Sequence, residues 1–154
     1  MCSFEELNAI AKHLIRDEPF FARHNILCLQ AFIRDGGRCR YCDRDLFESY
    51  DTASATDHLL PRSRYPALEW DPLNLVASCS ECNHTKSDWN PAGNEDYTDL
   101  TEDLRERLIA AASAYIKERK KTPDFRSMFP RARTRFQEAV AQHRKACVSC
   151  AKEN

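Results

Sequence analysis

Apolar residues recur at helical spacing in two stretches before residue 37. Ser3 and Glu6 form a capping-box pattern, and the apolar positions of one helix face follow at Leu7, Ile10, Ala11, Leu14 and Ile15. This pattern predicts a first helix that ends near Arg16. Pro19 can begin a second helix, whose apolar stripe ends at Gly36-Gly37. Residues 1–37 are therefore predicted to form N-terminal helices.

The pattern changes after Cys39. Thr52 to His58 and Asn74 to Ser78 are short runs with strand composition, joined by a loop that contains three prolines. The run from Asn83 to Trp89 has no helix breaker and predicts a short helix. Residues 38–91 are thus predicted to be a strand–loop–strand–helix unit.

A longer helix is predicted from about Asp99 to Lys121. Its apolar positions share one face, its first turn is acidic and its last turn is basic, which suits the helix dipole. Pro130 can open a further helix. Residues 95–150 are predicted to be C-terminal helices, and the fold class is α+β, with the strand-containing core between flanking helices.

Composition agrees with a single globular domain over residues 1–154. The chain is 42% hydrophobic and 31% charged, and it has no apolar run long enough to cross a bilayer. The acidic N-terminal stretch does not resemble a signal peptide, so a cytoplasmic location is expected, without membrane association.

Four of the eight cysteines form two Cys-x-x-Cys pairs, Cys39/Cys42 and Cys79/Cys82, separated by 36 residues. Such pairs in a reducing compartment favour metal binding or redox chemistry over disulfides, and four thiolates suit a closed tetrahedral zinc site. A structural zinc ion is the prediction. Cys147 and Cys150 could join Cys2 or Cys28 or bind a second metal, but we expect no role for them.

The central stretch resembles the HNH endonucleases. The resemblance depends on Asp57-His58, Asn74, the Cys79/Cys82 pair and Asn83-x-x-Lys86, in that order. It implies a zinc-braced ββα-metal fold and divalent-metal-dependent hydrolysis of phosphodiester bonds in nucleic acid, with DNA favoured. Because Asn follows the last cysteine where His is frequent, the chain resembles the H-N-N variant.

The resemblance also implies the roles of the site residues. His58 would be the general base, and Asn74 would hold the loop that carries it. Asp57 and Asn83 would bind the catalytic Mg²⁺ or Mn²⁺, with His84 as the second choice and helix capping as the alternative role of Asn83. Packing alone is the alternative for His58.

Three cationic side chains near the site are candidates for phosphate contacts, although an ordinary surface charge is the favoured interpretation of each one singly, least so of Lys86: Lys86, Arg62 and Arg64. Residues 117–145 carry ten basic and three acidic residues, a net charge of +7 in a chain whose total is −1. This basic arm could grip phosphates or be a solvated helix face. Trp70 and Trp89 flank the site and are expected to pack in the core rather than to stack on bases.

Two classes of function are consistent with these patterns. The first is an HNH nuclease, which could serve as the nuclease subunit of a restriction, phage or antiphage defence system. Such a subunit could have a protein partner such as an ATPase. The second is a noncatalytic zinc module that binds nucleic acid or protein. Cleavage that depends on a divalent metal and on His58 would separate them.

Overall fold

The structure, a computed structural model, describes residues 3–22, 24–47, 56–121 and 133–138. The chain divides into two compact units, Met1–Glu118 and Arg119–Asn154. In the second unit the described residues are the end of a long helix at 119–121 and a helical segment at 133–138. Cys147, Cys150 and most of the basic arm lie outside the described residues, and the single-domain assignment stays a prediction.

The first helix, α1 (Phe4–Asp17), confirms the capping-box prediction. The Ser3 hydroxyl accepts a hydrogen bond from the Glu6 amide at 3.2 Å, and the Glu6 carboxylate accepts one from the Ser3 amide at 2.7 Å. These two bonds satisfy amides that the first helical turn leaves unpaired.

The second helix, α2 (Ile26–Arg34), begins later than predicted. Pro19 starts only a 3-10 turn, Pro19–Phe21, and the Asn25 side chain caps α2 by accepting a hydrogen bond from the Leu27 amide at 2.9 Å. Asn is one of the strongest N-cap residues, so this local bond sets the boundary. Leu29 and Phe32 of α2 are buried in the core.

Two short strands, β1 (Thr56–His58) and β2 (Leu75–Ala77), pair in antiparallel orientation. Thr56 lies opposite Ala77 and His58 lies opposite Leu75. All three residues of β2 are buried. Both predicted strands are confirmed where the structure describes them; residues 52–55 lie outside the described part.

The short helix α3 (Ser80–Lys86) begins three residues earlier than predicted. Cys79 is its N-cap, and the Cys79 sulfur accepts a hydrogen bond from the Cys82 amide at 3.4 Å. Ser87, with φ of 52°, ends the helix. The residues favoured at N-caps have side-chain oxygens, so the sequence did not predict that the Cys79 thiol would cap α3. The same sulfur could also bind a metal ion.

The long helix α4 (Glu102–Lys121) confirms the helix predicted from about Asp99 to Lys121, starting slightly later than expected. The Thr101 hydroxyl accepts a hydrogen bond from the Leu104 amide at 3.3 Å. The side chains of α4 that are buried in the common core are Leu108, Ile109, Ala112 and Ile116. None of the helices in the described ranges combines the length and hydropathy that a membrane span requires.

Together these elements give the α+β fold: a two-stranded hairpin followed by α3, flanked by helices. The core that supports the hairpin includes Leu29 of α2, Val76 of β2 and Ile116 of α4.

Candidate metal centre and active site

The four cysteines of the two Cys-x-x-Cys pairs lie together. Their sulfur atoms are all within 4.8 Å of one another, and three of the four residues are buried, Cys42 being the exposed one. The Cys42 and Cys79 sulfurs are 3.8 Å apart. A tetrahedral site with Zn–S bonds of about 2.3 Å places neighbouring sulfurs about 3.8 Å apart. The donor set and its spacing therefore fit a structural zinc ion.

The first cysteine pair is held in a tight turn. The Cys39 amide donates to the Arg44 carbonyl at 2.9 Å, and the Asp43 amide donates to the Cys39 carbonyl at 2.8 Å. Asp43 has a φ of 60°, a left-handed conformation that Asp tolerates better than most residues. The Arg40 amide then donates to the Ala77 carbonyl at 2.9 Å, which fastens this turn to the end of β2.

The surroundings of Cys39 favour its thiolate. A hydrogen bond with Cys82 is the largest cause, and backbone amides of Cys79, Tyr41 and Cys42 add to it, so that the pKa of Cys39 falls to about 4 despite burial. Thiolate is the form that binds metal. Burial raises the pKa of Cys42, and the hydrogen bond with Cys39 raises that of Cys82, so Cys39 is the member of this trio whose surroundings favour the thiolate.

The imidazole of His58 is oriented by a hydrogen bond at Nε2. Nε2 lies 3.0 Å from the Glu69 carbonyl oxygen. Because a carbonyl only accepts, Nε2 carries the proton in this contact and Nδ1 has the free lone pair. The half-buried imidazole therefore has the tautomer that a base acting through Nδ1 requires.

Asp57, directly before His58, is 5% exposed and tied to two partners. The Tyr41 hydroxyl donates to Asp57 Oδ2 at 2.6 Å, and Lys86 Nζ lies 3.0 Å from the same oxygen. Both contacts use Oδ2, so Oδ1 is the oxygen that could meet a cation. Burial, the largest cause, raises the pKa of Asp57, while Lys86 and Tyr41 oppose that rise.

Tyr41 is a partner that the sequence reasoning missed. Burial, followed by the charge of Asp57, raises the pKa of Tyr41 well above its ordinary value. The phenol therefore keeps its proton at neutral pH and acts as a donor. Its place between Cys39 and Cys42 is the one local signal, since the turn that carries these cysteines also delivers the Tyr41 side chain to Asp57 on β1.

Lys86, which was predicted to contact phosphate, is buried instead. Its side chain is 1% exposed, and Nζ donates to the His58 carbonyl at 2.8 Å as well as pairing with Asp57. A buried ammonium needs such partners because an uncompensated charge in the protein interior is costly. Lys86 thus joins the end of α3 to the end of β1.

Asn74 is fully buried and braces the loop between the strands. Its side-chain oxygen accepts a hydrogen bond from the Leu60 amide at 2.7 Å, and its nitrogen donates to the carbonyls of Leu60 at 3.1 Å and Leu68 at 3.0 Å. These bonds connect the segment after His58 to the segment before Glu69, which bonds to the imidazole. Asn74 therefore holds together the two loop segments next to the imidazole.

Asn83 and His84 point in different directions on α3. Asn83 is half-buried, and its side-chain nitrogen lies 3.5 Å from the Thr56 carbonyl on β1, whereas His84 is exposed. Asn83 lies inside the helix, since Cys79 is the cap, so helix capping does not explain it. Its amide oxygen is left for another partner.

An open cleft of about 330 Å³ adjoins Asp57 and His58. It is lined by Asp57, His58, Pro61, Arg62, Ser63, Ser87 and Asp88. The Arg62 side chain is 69% exposed, with Glu69 at 3.5 Å, and so remains accessible in the cleft. Arg64 instead donates to the Gly93 carbonyl at 2.7 Å and lies over the Tyr65 ring at 5.6 Å. Of the two arginines, Arg62 is the better placed for a phosphate.

A buried ionic cluster, also missed from sequence, holds β2. Asp35 Oδ2 accepts a hydrogen bond from the Ala77 amide at 2.9 Å, and Arg105 of α4 donates to the same carboxylate at 3.0 and 3.2 Å. Arg34 donates to the Leu75 carbonyl at 2.5 Å. Because Asp35 and Arg105 are 70 positions apart, no local pattern could have paired them.

Comparison with known proteins identifies the central stretch. Residues 39–88 match the family model described as HNH endonuclease. That range contains both cysteine pairs and the residues Asp57, His58, Asn74 and Asn83. No curated protein and no solved structure matched the chain.

Proposed function

We propose that this chain, which carries an HNH domain at residues 39–88, is a metal-dependent endonuclease that hydrolyses phosphodiester bonds in DNA. HNH domains are generally those of nucleases, although some members of the family are noncatalytic. The proposal therefore depends on whether the residues around the cleft can perform the reaction.

The observation that carries the proposal is the orientation of His58. Its Nε2 is bound to the Glu69 carbonyl, it lines an open cleft, and Nδ1 keeps its lone pair. A neutral imidazole can take a proton from the water that attacks phosphorus. His58 is the proposed general base.

Two side-chain oxygens along β1 would suit a hard divalent cation. Oδ1 of Asp57 and the amide oxygen of Asn83 are the atoms that the contacts with Tyr41, Lys86 and Thr56 do not use. Mg²⁺ and Mn²⁺ prefer such oxygen ligands and retain water molecules. A cation bound there would polarise the phosphate and stabilise the leaving oxygen.

Three further residues would keep this arrangement in place. Asn74 holds the two loop segments that flank the imidazole, while Lys86 and Tyr41 fix the Asp57 carboxylate. Preorganised geometry of this kind reduces the reorganisation that the reaction itself requires. Arg62 is the proposed phosphate contact in the cleft.

DNA is proposed on the basis of the family resemblance, and the biological system is a further proposal. We propose that the chain acts as the nuclease subunit of a restriction, phage or antiphage defence system and binds a partner such as an ATPase. Co-purification from the native host with such a subunit would support this assignment.

The function is tested by incubating zinc-loaded protein with plasmid DNA, labelled oligonucleotides and RNA while Mg²⁺ or Mn²⁺ is titrated. We expect cleavage that requires the added ion, that is lost in His58→Ala and that persists in His84→Ala, the matched control for an exposed histidine. Binding of nucleic acid without cleavage under all conditions would instead identify a noncatalytic zinc module.

A further inference from the structure

Trp70 does not pack in the core as predicted. Its side chain is 55% exposed. Trp89, by contrast, is partly buried against the core and stacks on Tyr115, with ring centroids 4.1 Å apart and an interplanar angle of 3°. The two tryptophans of the chain therefore have different environments, and only Trp89 follows the sequence-based expectation.

Exposure alone does not mark a binding site, since isolated apolar residues are common on protein surfaces. The position of Trp70 is more informative. Its ring centroid is 6.5 Å from that of His58, and the two rings are inclined at 73°. Among the exposed large hydrophobic side chains of the described residues, Phe47 has a comparable exposure of 58% but contacts Phe32.

The backbone that presents Trp70 is firmly held. The preceding residue, Glu69, accepts the hydrogen bond from the His58 ring, and its amide donates to the Pro66 carbonyl at 3.3 Å. Leu68 is buried, and its carbonyl accepts hydrogen bonds from the Asn74 side chain at 3.0 Å and from the Asp71 amide at 3.2 Å. The indole is thus an exposed aromatic surface mounted on the same short segment that orients the proposed base.

We propose that Trp70 is a stacking platform for an unpaired nucleobase of the strand that enters the cleft. This inference rests on the proposed function, because it places nucleic acid at His58. Every base has a π face, so an exposed aromatic side chain can bind single strands by stacking, without reading their sequence. Arg62, 69% exposed and 3.5 Å from Glu69, is the exposed cation in the lining of the cleft, which also contains Asp57 and Asp88.

The proposal implies a preference for substrates with unstacked bases. In a duplex each base is already stacked and paired, and extruding it requires breaking these interactions. A single strand, a flap or a mismatched site avoids that cost. Trp70 would therefore favour such substrates over perfect duplex DNA, while leaving the sugar undetermined.

The test measures binding to the full-length zinc-loaded protein without added divalent ion, so that cleavage does not interfere. Single-stranded and duplex oligonucleotides of the same sequence are titrated into wild type, Trp70→Ala, Trp70→Phe and Phe47→Ala. For single strands we expect saturable quenching of tryptophan fluorescence in wild type and its loss in Trp70→Phe, where Trp89 remains. Phe47→Ala removes a similarly exposed aromatic ring and is the matched control.

Trp70→Ala should weaken single-strand binding by about 5-fold to 150-fold, the range expected for losing the stacking of one base. Trp70→Phe should recover part of that affinity, and binding of the perfect duplex should change much less. Wild-type affinity of Trp70→Ala for single strands, or no quenching in wild type, would overturn the proposal.

This outcome is distinguishable from failure of the nuclease assignment. If wild type cleaves nucleic acid but Trp70→Ala binds single strands normally, the stacking role is wrong and the nuclease assignment stands. If quenching and the affinity loss are found but no cleavage occurs with any ion, Trp70 is a base-binding residue of a noncatalytic module.

Discussion

The four-cysteine cluster and the cleft at His58 lie at opposite ends of the same short hairpin. The cluster adjoins Ala77, the end of β2 that pairs with Thr56, and His58 pairs with Leu75 at the other end. Helix α3 makes the same connection, since it begins at the cysteine cluster and ends at Lys86, whose ammonium holds the His58 carbonyl.

The two ends are built differently. The cysteine cluster is assembled from two local turns with regular spacing, and a metal ion would complete it. The cleft is assembled from contacts between residues far apart in sequence, including those of Asp57 with Tyr41 and of His58 with Lys86. A local metal-binding motif can thus stabilise a site whose chemistry depends on long-range packing.

Removing a zinc ligand should have the largest effect. Cys79→Ser should release about one zinc ion per chain and unfold the core, since apparent structural-zinc energies reach roughly 10 kcal/mol or more. Elemental analysis and thermal melting measure both effects. Cys28→Ser, which alters a half-buried cysteine outside the cluster, is the control and should keep its zinc; a folded, zinc-free Cys79→Ser would show that the cluster does not hold the fold.

Breaking the ionic cluster of Asp35 and Arg105 at β2 should cause the next largest loss of stability. Asp35→Ala leaves Arg105, which is 2% exposed, without its buried partner and removes the acceptor of the Ala77 amide. Breaking a buried pair in this way costs about 3–5 kcal/mol. Denaturant unfolding should reveal that loss with zinc still bound, whereas Asp17→Ala, in an exposed pair with Arg16, should unfold almost like wild type.

Lys86 and Tyr41 should differ in how much they stabilise Asp57. Lys86→Met leaves a buried carboxylate without its counter-charge and should cost about 3–5 kcal/mol. Tyr41→Phe removes one hydrogen bond to a charged group and should cost about 1.5–3 kcal/mol.

A double variant makes the Lys86 prediction sharper. Adding Asp57→Asn to Lys86→Met should restore part of the lost stability, because the unpaired charge is gone, and a double-mutant cycle by denaturant unfolding measures this coupling. Simple additivity of the two substitutions would mean that the 3.0 Å pair contributes nothing specific.

The substitutions expected to perturb the structure least are those that test whether Asn83 or His84 binds the catalytic ion. Asn83→Ala should raise the Mg²⁺ concentration needed for half-maximal cleavage, because the amide oxygen next to β1 is lost, while His84→Ala should leave it unchanged. Titration of Mg²⁺ and Mn²⁺ in parallel checks this. The reverse pattern would move the ligand to His84 and favour ions that accept imidazole readily.

The two Cys-x-x-Cys turns, the two strand segments and the capping of α1 could be predicted because each is encoded by residues close in sequence. The start of α3 was missed because a thiol, not an oxygen, caps it. The burial of Lys86 and the roles of Tyr41, Asp35 and Arg105 could not be predicted, since they depend on contacts that the folded chain alone creates.

Trp70 illustrates the same limit. Tryptophan is a large apolar residue and was therefore expected in the core, but the loop braced by Asn74 presents Trp70 beside His58. Single-residue tendencies cannot determine which of two tryptophans packs and which is exposed.

The central claim is that the cysteine cluster maintains the fold while His58 performs the chemistry, and one variant tests both parts. In a single preparation of His58→Ala, zinc content, melting temperature and the single-turnover cleavage rate are measured beside wild type. We expect about one zinc ion per chain, a melting temperature close to wild type and a rate lower by about 10²-fold to 10⁴-fold, the usual contribution of a general base. Cleavage at the wild-type rate, or loss of zinc together with activity, would contradict the claim.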